Sequence, residues 1–307
     1  MLILELNAQN CWSQINLLLI ASDGQRLAIT IWHNQGNDQA TVQETSQQRS
    51  YQYKRNQLIA IEDNELGSKC FEYDELDQLL EVEGKTSERF EWDSFGNPIG
   101  PDSEVKNDRL IKQNGTNYRY DPCGNQIQAQ TDLSSVKECS ESVSQTRDFD
   151  GFNQLRRLKN DGKVNHYQYD ALGRRSAKLT EQGKTDFLWD GDQLIGEHNN
   201  GLFRWYIYEP NSFLPIALVE NGQVYQYHLD HLGTPLKLTD SQGQTAWSAS
   251  YSAFGLADLT SETIINPLRF QGQYYDQESG LHYNRFRYYD PETGRFIHQD
   301  PIGLEGG

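Results

Sequence analysis

The chain has 307 residues, 36% hydrophobic, 11% aromatic and 23% charged, and 44 acidic against 27 basic side chains leave a formal charge of -17. Its 17 Tyr, 12 Phe and 6 Trp separate it from disordered sequences of similar polarity, and its length suffices to bury a core. An acidic chain without a Lys/Arg run excludes electrostatic capture of nucleic acid or of an anionic membrane, so neither is expected as a partner.

Residues 1–50 carry no motif and read as an N-terminal β segment. The start, Met1 to Glu5, lacks a basic region ahead of a long apolar run, so a secretory signal is not expected and synthesis is expected in the cytoplasm. The most apolar stretch, residues 15–21, has about a third of the roughly 20 residues that a spanning helix needs. Residues 15–32 read as a hairpin around Ser22-Asp23-Gly24. Cys11, Cys70, Cys123 and Cys139 form no Cys-x-x-Cys pair and read as free thiols; neither a metal nor a cofactor is expected.

From residue 51 an aromatic-x-aromatic-acid unit recurs: Phe71 to Asp74, Phe90 to Asp93, Tyr118 to Asp121, Tyr167 to Asp170, Phe187 to Asp190 and Tyr206 to Glu209, with weaker copies at Phe149-Asp150 and Leu229-Asp230. The acids step by 19, 28, 29, 20, 20, 19 and 21 residues, a period of about twenty. Aromatics two apart share one face of a strand. The acid and a following Gly, as in Asp93-Ser-Phe-Gly96 or Asp170-Ala-Leu-Gly173, close it with a turn. The spacing predicts an all-β array of about ten antiparallel hairpins over residues 51–254, with the aromatics buried between repeats, and a surface loop over the Ser-rich residues 131–146.

The C-terminal third carries the motifs Tyr227-His228-Leu229-Asp230-His231-Leu232-Gly233-Thr234-Pro235, Phe270-Gln271-Gly272-Gln273-Tyr274-Tyr275-Asp276, Gly280 to Pro291, Gly294-Arg295-Phe296 and Asp300-Pro301-Ile302-Gly303-Leu304. With the tyrosine-aspartate units, these resemble the YD repeats and the RHS-repeat-associated core of the RHS family of polymorphic toxins. The resemblance implies residues 51–224 as YD hairpins in a curved sheet or partial shell, and residues 225–307 as a core that plugs it. It implies a C-terminal toxin cargo or a neighbouring shell segment as partner, with a secretion apparatus as a further one. It also implies export by a contact-dependent route without a signal peptide, such as type VI secretion, or placement at the cell surface. Family shells have more repeats, so the chain is expected to be the C-terminal slice of one.

The family's self-cleavage resembles aspartic protease chemistry, in which two carboxylates share a proton. Asp300 matches the first carboxylate, and a second Asp-Pro-x-Gly-Leu that normally follows is not among these residues. Asp300 is therefore a half-dyad and the chain alone is expected to be inert. The core motif residues His228, Asp230, His231, Gly233, Arg295, Pro301, Gly303 and Leu304 are assigned from the same resemblance.

The residues leave other readings open. His228, Asp230 and His231 could offer metal ligands, although Asp230 fits a turn. Asp290 reads as a turn residue, Arg285, Arg287 and Arg295 as partners of Asp290 and Glu292, and the histidines at 33, 166, 198, 282 and 298 as surface or hydrogen-bonded residues. Two alternatives to a shell are a self-cleaving core that needs a downstream segment, and an adhesin binding glycans through exposed Trp92 and Trp189.

Overall fold

The computed structural model describes residues 3–9, 12–20, 26–34, 49–64, 66–100, 102–131 and 143–298. Every named element is a β-strand, and every pairing joins neighbours in sequence antiparallel. Two compact units divide the chain, residues 1–48 and 49–307. In the first, Ile3–Gln9, Trp12–Ile20 and Arg26–Asn34 form a three-stranded meander, and Ile20 opposite Arg26 gives the hairpin expected there.

The second unit opens with a five-stranded sheet from Arg49–Lys54 to Glu88–Arg89 and a two-stranded ribbon of Glu91–Trp92 and Pro98–Ile99. A sixteen-stranded sheet then runs from Glu104–Lys106 to Ala257–Glu262, and a four-stranded sheet runs from Tyr274–Asp276 to Arg295–Phe296. The sixteen strands follow chain order without a crossover. The junction expected at residues 224 and 225 falls inside the strand Gln223–Leu229 of that sheet. Of the loop expected over residues 131–146, the two ends are strand, with Thr131 paired to Val143 and Gln128 to Thr146, and residues 132–142 lie outside the described residues. Backbone pairing along the ladder overrides the polarity of Ser144, Gln145 and Thr146.

Two kinds of turn alternate along the sheet. One end of the strands carries two-residue turns such as Asn114-Gly115, Asp161-Gly162, Asn200-Gly201 and Asn221-Gly222. Both residues of each have positive φ, the requirement of the type I′ turn that matches strand twist. The other end carries turns that open on Asp and have Gly or Asn three residues on. In several, one carboxylate oxygen accepts backbone N–H groups two and four residues on: Asp150 from Phe152 and Gln154, Asp170 from Leu172 and Arg174, Asp230 from Leu232 and Thr234. The acid of the repeat is thus a turn clamp, as its spacing implies.

The second aromatic of the unit ties one hairpin to the one before. Pairing shifts register beside this residue, as between Gln168 and Tyr169, and such a bulge interrupts the ladder. The residue paired opposite the bulge offers its carbonyl to the second aromatic of the next unit. Tyr73 donates to Leu58, Trp92 to Leu79, Tyr120 to Leu110, Tyr169 to Leu155, Trp189 to Arg175, Tyr208 to Leu194 and Tyr251 to Pro235, at 2.7–3.0 Å. Phe149 and Leu229 hold the same position without a donor. The need for an O–H or N–H at this place explains why tyrosine and tryptophan, rather than phenylalanine, dominate it.

The first aromatic points into the core. Tyr167, Phe187, Tyr206 and Tyr227 cluster with Leu155, Leu158, Leu218, Leu238 and Trp247 of the large sheet and with Tyr274, Leu281, Tyr283, Tyr288 and Ile297 of the four-stranded sheet. The C-terminal strands, here called the plug for their position alone, are seated on the aromatic face of the hairpins. The early strands also return to the late turns: His231 N–H reaches Tyr51, Ala253 N–H reaches Glu88, and Phe254 packs 4.9 Å from Phe90. The strip curls back on itself.

Replacing Tyr208, whose hydroxyl is 3.0 Å from the Leu194 carbonyl, with Phe removes one tie while keeping the ring. A buried carbonyl left without its donor costs about 1–2 kcal/mol. Denaturant unfolding of Tyr208→Phe should show a lower midpoint with an unchanged slope, whereas Phe149→Leu, which breaks no such bond, should not show this deficit beyond its lost packing.

Candidate functional site

The strongest chemistry in the described residues lies on the seam between hairpins and plug. It starts from the bulge in Arg175–Thr180. Tyr169 pairs with Arg175, Gln168 with Ala177 and Tyr167 with Lys178, so the extra residue, Ser176, places Arg175 and Lys178 on one face although they are three apart. Regular alternation would put them on opposite faces.

Both cations close on Asp276, the last residue of Tyr274–Asp276. Arg175 and Asp276 are each 0% exposed. The guanidinium grips both carboxylate oxygens, Nη2 at 3.0 Å from Oδ1 and Nη1 on Oδ2. Lys178 Nζ bridges Asp276 Oδ1 and Glu278 Oε2, each at 3.0 Å, and Tyr167 donates to Glu278 Oε1 at 3.1 Å. Five rings surround the guanidinium, with Tyr283 at 4.3 Å and Phe187 at 4.6 Å from its carbon. Burial alone would raise the Asp276 pKa, but the charges of Arg175 and Lys178 outweigh it and hold the carboxyl below its ordinary value.

A second node lies one repeat on. Glu197 takes the Arg204 guanidinium on one oxygen and the Tyr274 hydroxyl on the other at 2.5 Å, while Arg204 also pairs with Glu220. Further bonds cross the seam where the plug chain turns: Asn160 to the Glu278 carbonyl, Gln145 to the Ser279 carbonyl, Arg175 N–H to the Tyr283 hydroxyl, and Gln126 N–H to the Ile297 carbonyl. Each acid is neutralised by cations from the hairpins. The hydroxyls of Tyr167 and Tyr274 donate to Glu278 and Glu197, so these acids fasten the two sheets to each other.

The residues expected at the site fall apart. Asp230 clamps its turn, His228 Nε2 lies 2.9 Å from Thr239 Oγ1, and the His231 ring packs 4.5 Å from Tyr51. They do not converge, and among the described residues no group of three or more His, Cys, Asp or Glu could hold a metal. Gly233 has φ +82°, and a Cβ there would lie 2.3 Å from Leu214 Cδ2, so the turn admits no side chain. Asp300, Pro301, Gly303 and Leu304 lie outside the described residues.

Two expectations are corrected. Arg285 pairs with Asp192 and Arg295 donates to the Pro98 carbonyl at 2.9 Å, while Arg287 lies over the Phe296 ring at 3.7 Å. The local carboxylate of Asp290 is instead taken up by its own turn, through the N–H of Glu292. Trp92 and Trp189 offer no outward platform for glycans, because both are partly buried with the indole N–H spent on the preceding repeat. Sequence reasoning missed Arg175, Lys178 and Glu197, and it placed Asp276 in a family motif without giving it a role. The only signal was a pair of cations in an apolar strand context, without a hint of a bulge.

Comparison with known proteins agrees with the geometry. Residues 28–304 match the Teneurin YD-shell family. The chain is 31% identical over 326 residues to double-stranded DNA deaminase toxin A of Burkholderia cenocepacia, covering 90% of this chain and 22% of that protein. It is 28% identical to the toxin protein Tse5 of Pseudomonas aeruginosa, covering 85% of this chain and 25% of that one. The chain thus spans about a quarter or less of these relatives. Its fold is like that in the crystal structure of TcdB2-TccC3-Cdc42, with a TM-score of 0.52 at 15% identity over 96% of this chain and 20% of that one.

The seam yields a stability prediction with a defined sign. Asp276→Asn leaves Arg175 and Lys178 buried beside a neutral amide, and breaking a buried pair from one side costs about 3–5 kcal/mol. Because the folded pKa of Asp276 is depressed, its contribution is present above the ordinary carboxylate range and lost as pH falls through the folded value. Unfolding free energies of wild type and Asp276→Asn should differ by that amount at pH 7 and converge as the pH drops below about 4, the ordinary carboxylate value.

Proposed function

The chain belongs to the YD-shell family of RHS-type toxin proteins, and we propose that it works as wall and plug of a toxin-delivery shell. The observation that carries this reading is the seam. The four-stranded C-terminal sheet is held by the inner aromatic face of the hairpins through the Arg175, Lys178, Asp276 and Glu278 network. A plug fixed in this way anchors whatever follows it in the chain. On this reading the cargo is a toxin joined after the plug, the neighbouring partner is another length of hairpin shell, and the formal charge of -17 suits a basic cargo.

The names of relatives support the delivery half of the proposal: one is called a DNA deaminase toxin, another a toxin protein, and a third is a probable deoxyribonuclease, RhsB of Dickeya dadantii, 33% identical over 72% of this chain. Differing activities beside a shared shell fit a carrier whose wall is constant and whose cargo varies. Export is proposed through a contact-dependent secretion apparatus; among the described residues no helix is long and apolar enough to cross a membrane. Asp300 is proposed as one carboxylate of an aspartic pair that severs the cargo once a downstream Asp-Pro-x-Gly supplies the second.

The test is a chain extended after Gly307 with a second Asp-Pro-x-Gly-Leu and a small marker domain. The marker should co-purify with the shell on native chromatography and resist a protease that digests the free marker, and it should be severed in the parent but not in Asp300→Asn. A marker as protease-sensitive as the free domain would overturn enclosure; cutting that survives Asp300→Asn would overturn the role of Asp300.

A further inference from the structure

His282, a buried titratable group of the plug, takes no part in the seam network. It is 1% exposed and lies on an inner strand of the four-stranded sheet. The residues paired with it on either side are Tyr275 and Tyr289, and both rings pack against the imidazole, at 5.8 and 6.0 Å. Alternation puts this row on the face of the plug opposite to Tyr274, Tyr283 and Tyr288, which meet the aromatic core of the hairpins. Both ends of the row are tied to the last hairpins. Tyr289 donates to the Phe254 carbonyl at 2.9 Å, and Tyr275 lies 4.6 Å from the guanidinium carbon of Arg269, which is also 5.8 Å from the Trp247 ring.

This setting favours the neutral imidazole. Nδ1 lies 2.7 Å from Gln273 Oε1, an acceptor, so the proton of the neutral ring sits on Nδ1 and a second proton has only Nε2 to take. The charges that act on the ring are those of Arg269 and Asp276. Arg269 is a like charge for a protonated imidazole, and its own hydrogen bonds go to the carbonyls of Asn266 and Leu268. Asp276 is already held by Arg175 and Lys178. Tyr227, Tyr251 and Glu262 of the hairpins, with Tyr275 of the plug, complete the ionisable groups around Arg269. Burial, with the Arg269 charge behind it, pushes the His282 pKa down to about 3.

We propose that His282 is an acid-sensitive latch between plug and wall: its protonation places a second buried cation beside Arg269 and loosens the four-stranded sheet from the hairpins at Trp247 and Phe254. The ring is neutral in the fold and titrates near its ordinary value of about 6.5 once the plug opens, so the unfolded side of the equilibrium takes up the proton. The latch is therefore full above about pH 6.5 and is lost as the pH falls towards the folded value. That window separates it from Asp276, whose depressed carboxyl loses its contribution only below the ordinary carboxylate value of about 4. The latch rests on the contacts between the two sheets and not on the reading of the chain as a shell, so either can fail without the other.

Amide hydrogen exchange of the 307-residue chain at about pH 7.5 and about pH 5.5, corrected for the intrinsic pH dependence of exchange, tests it. Protection of the plug strands Leu281–Asn284 and Arg287–Asp290 should fall about tenfold between the two, the gain in open population for an imidazole that titrates about one unit above the lower pH once released. His282→Asn, which keeps an N–H for Gln273 but does not titrate, should show the same protection at both. His282→Phe, which keeps a ring between Tyr275 and Tyr289, should do likewise and covers the case in which His282→Asn does not fold. Wild-type protection that is constant over this window, or a tenfold fall that persists in the folded variants, would overturn the latch.

Discussion

A carboxylate with no exposed surface, Asp276, sets the terms for the rest of the molecule. Such a group is tolerated only when cations and donors saturate it. Its cationic partners, Arg175 and Lys178, come from the hairpins. Arg175 and Lys178 can reach it together only because a bulge puts them on one face, and the bulge recurs beside the second aromatic of repeat after repeat. The repeat chemistry and the seam chemistry are therefore one design: the irregularity that frees a carbonyl for the next tyrosine also aims side chains at the plug.

The same logic decides where the sequence was legible. Aromatic pairs two apart followed by acid and glycine report their own geometry, since period 2 and a φ-permissive turn are local requirements, and the hairpin strip, its turns and its buried first aromatics follow from them. The hairpin at residues 12–34 was readable for the same reason. What stayed hidden depends on contacts distant in sequence. Arg175 meets Asp276 across 101 residues and Arg295 meets Pro98 across 197, and neither distance leaves a trace in local pattern. Local pairing was assumed for Arg295 because Asp290 and Glu292 are near it in the chain, but the Asp290 turn had already used its carboxylate. The second aromatics were read correctly as structural, while their N–H and O–H groups, the reason for their identity, became visible only with the bulge.

The tryptophans show how burial decides between two functions of one residue. Trp92 and Trp189 could serve carbohydrate only with an open ring face and a free N–H, yet each spends its indole N–H on a backbone carbonyl thirteen or fourteen residues back. A sugar would have to compete with a tie between repeats. The geometry of the two indoles thus argues against that reading, and the most chemically crowded surface among the described residues is the one that faces the plug.

A strip whose repeats touch only their neighbours has stability that is nearly a sum of local terms, and its cooperativity decays along the chain. The plug changes that arithmetic. Tyr274 touches Glu197 and packs on Phe187, Tyr288 meets Tyr169 and packs on Tyr167, and Ile297 bonds Gln126, so one small sheet contacts hairpins spread over more than seventy residues. Loss of any one repeat then weakens contacts shared with others, and the hairpins unfold with the plug rather than one by one. A wall built in this way is firm only while its own C-terminal strands are in place.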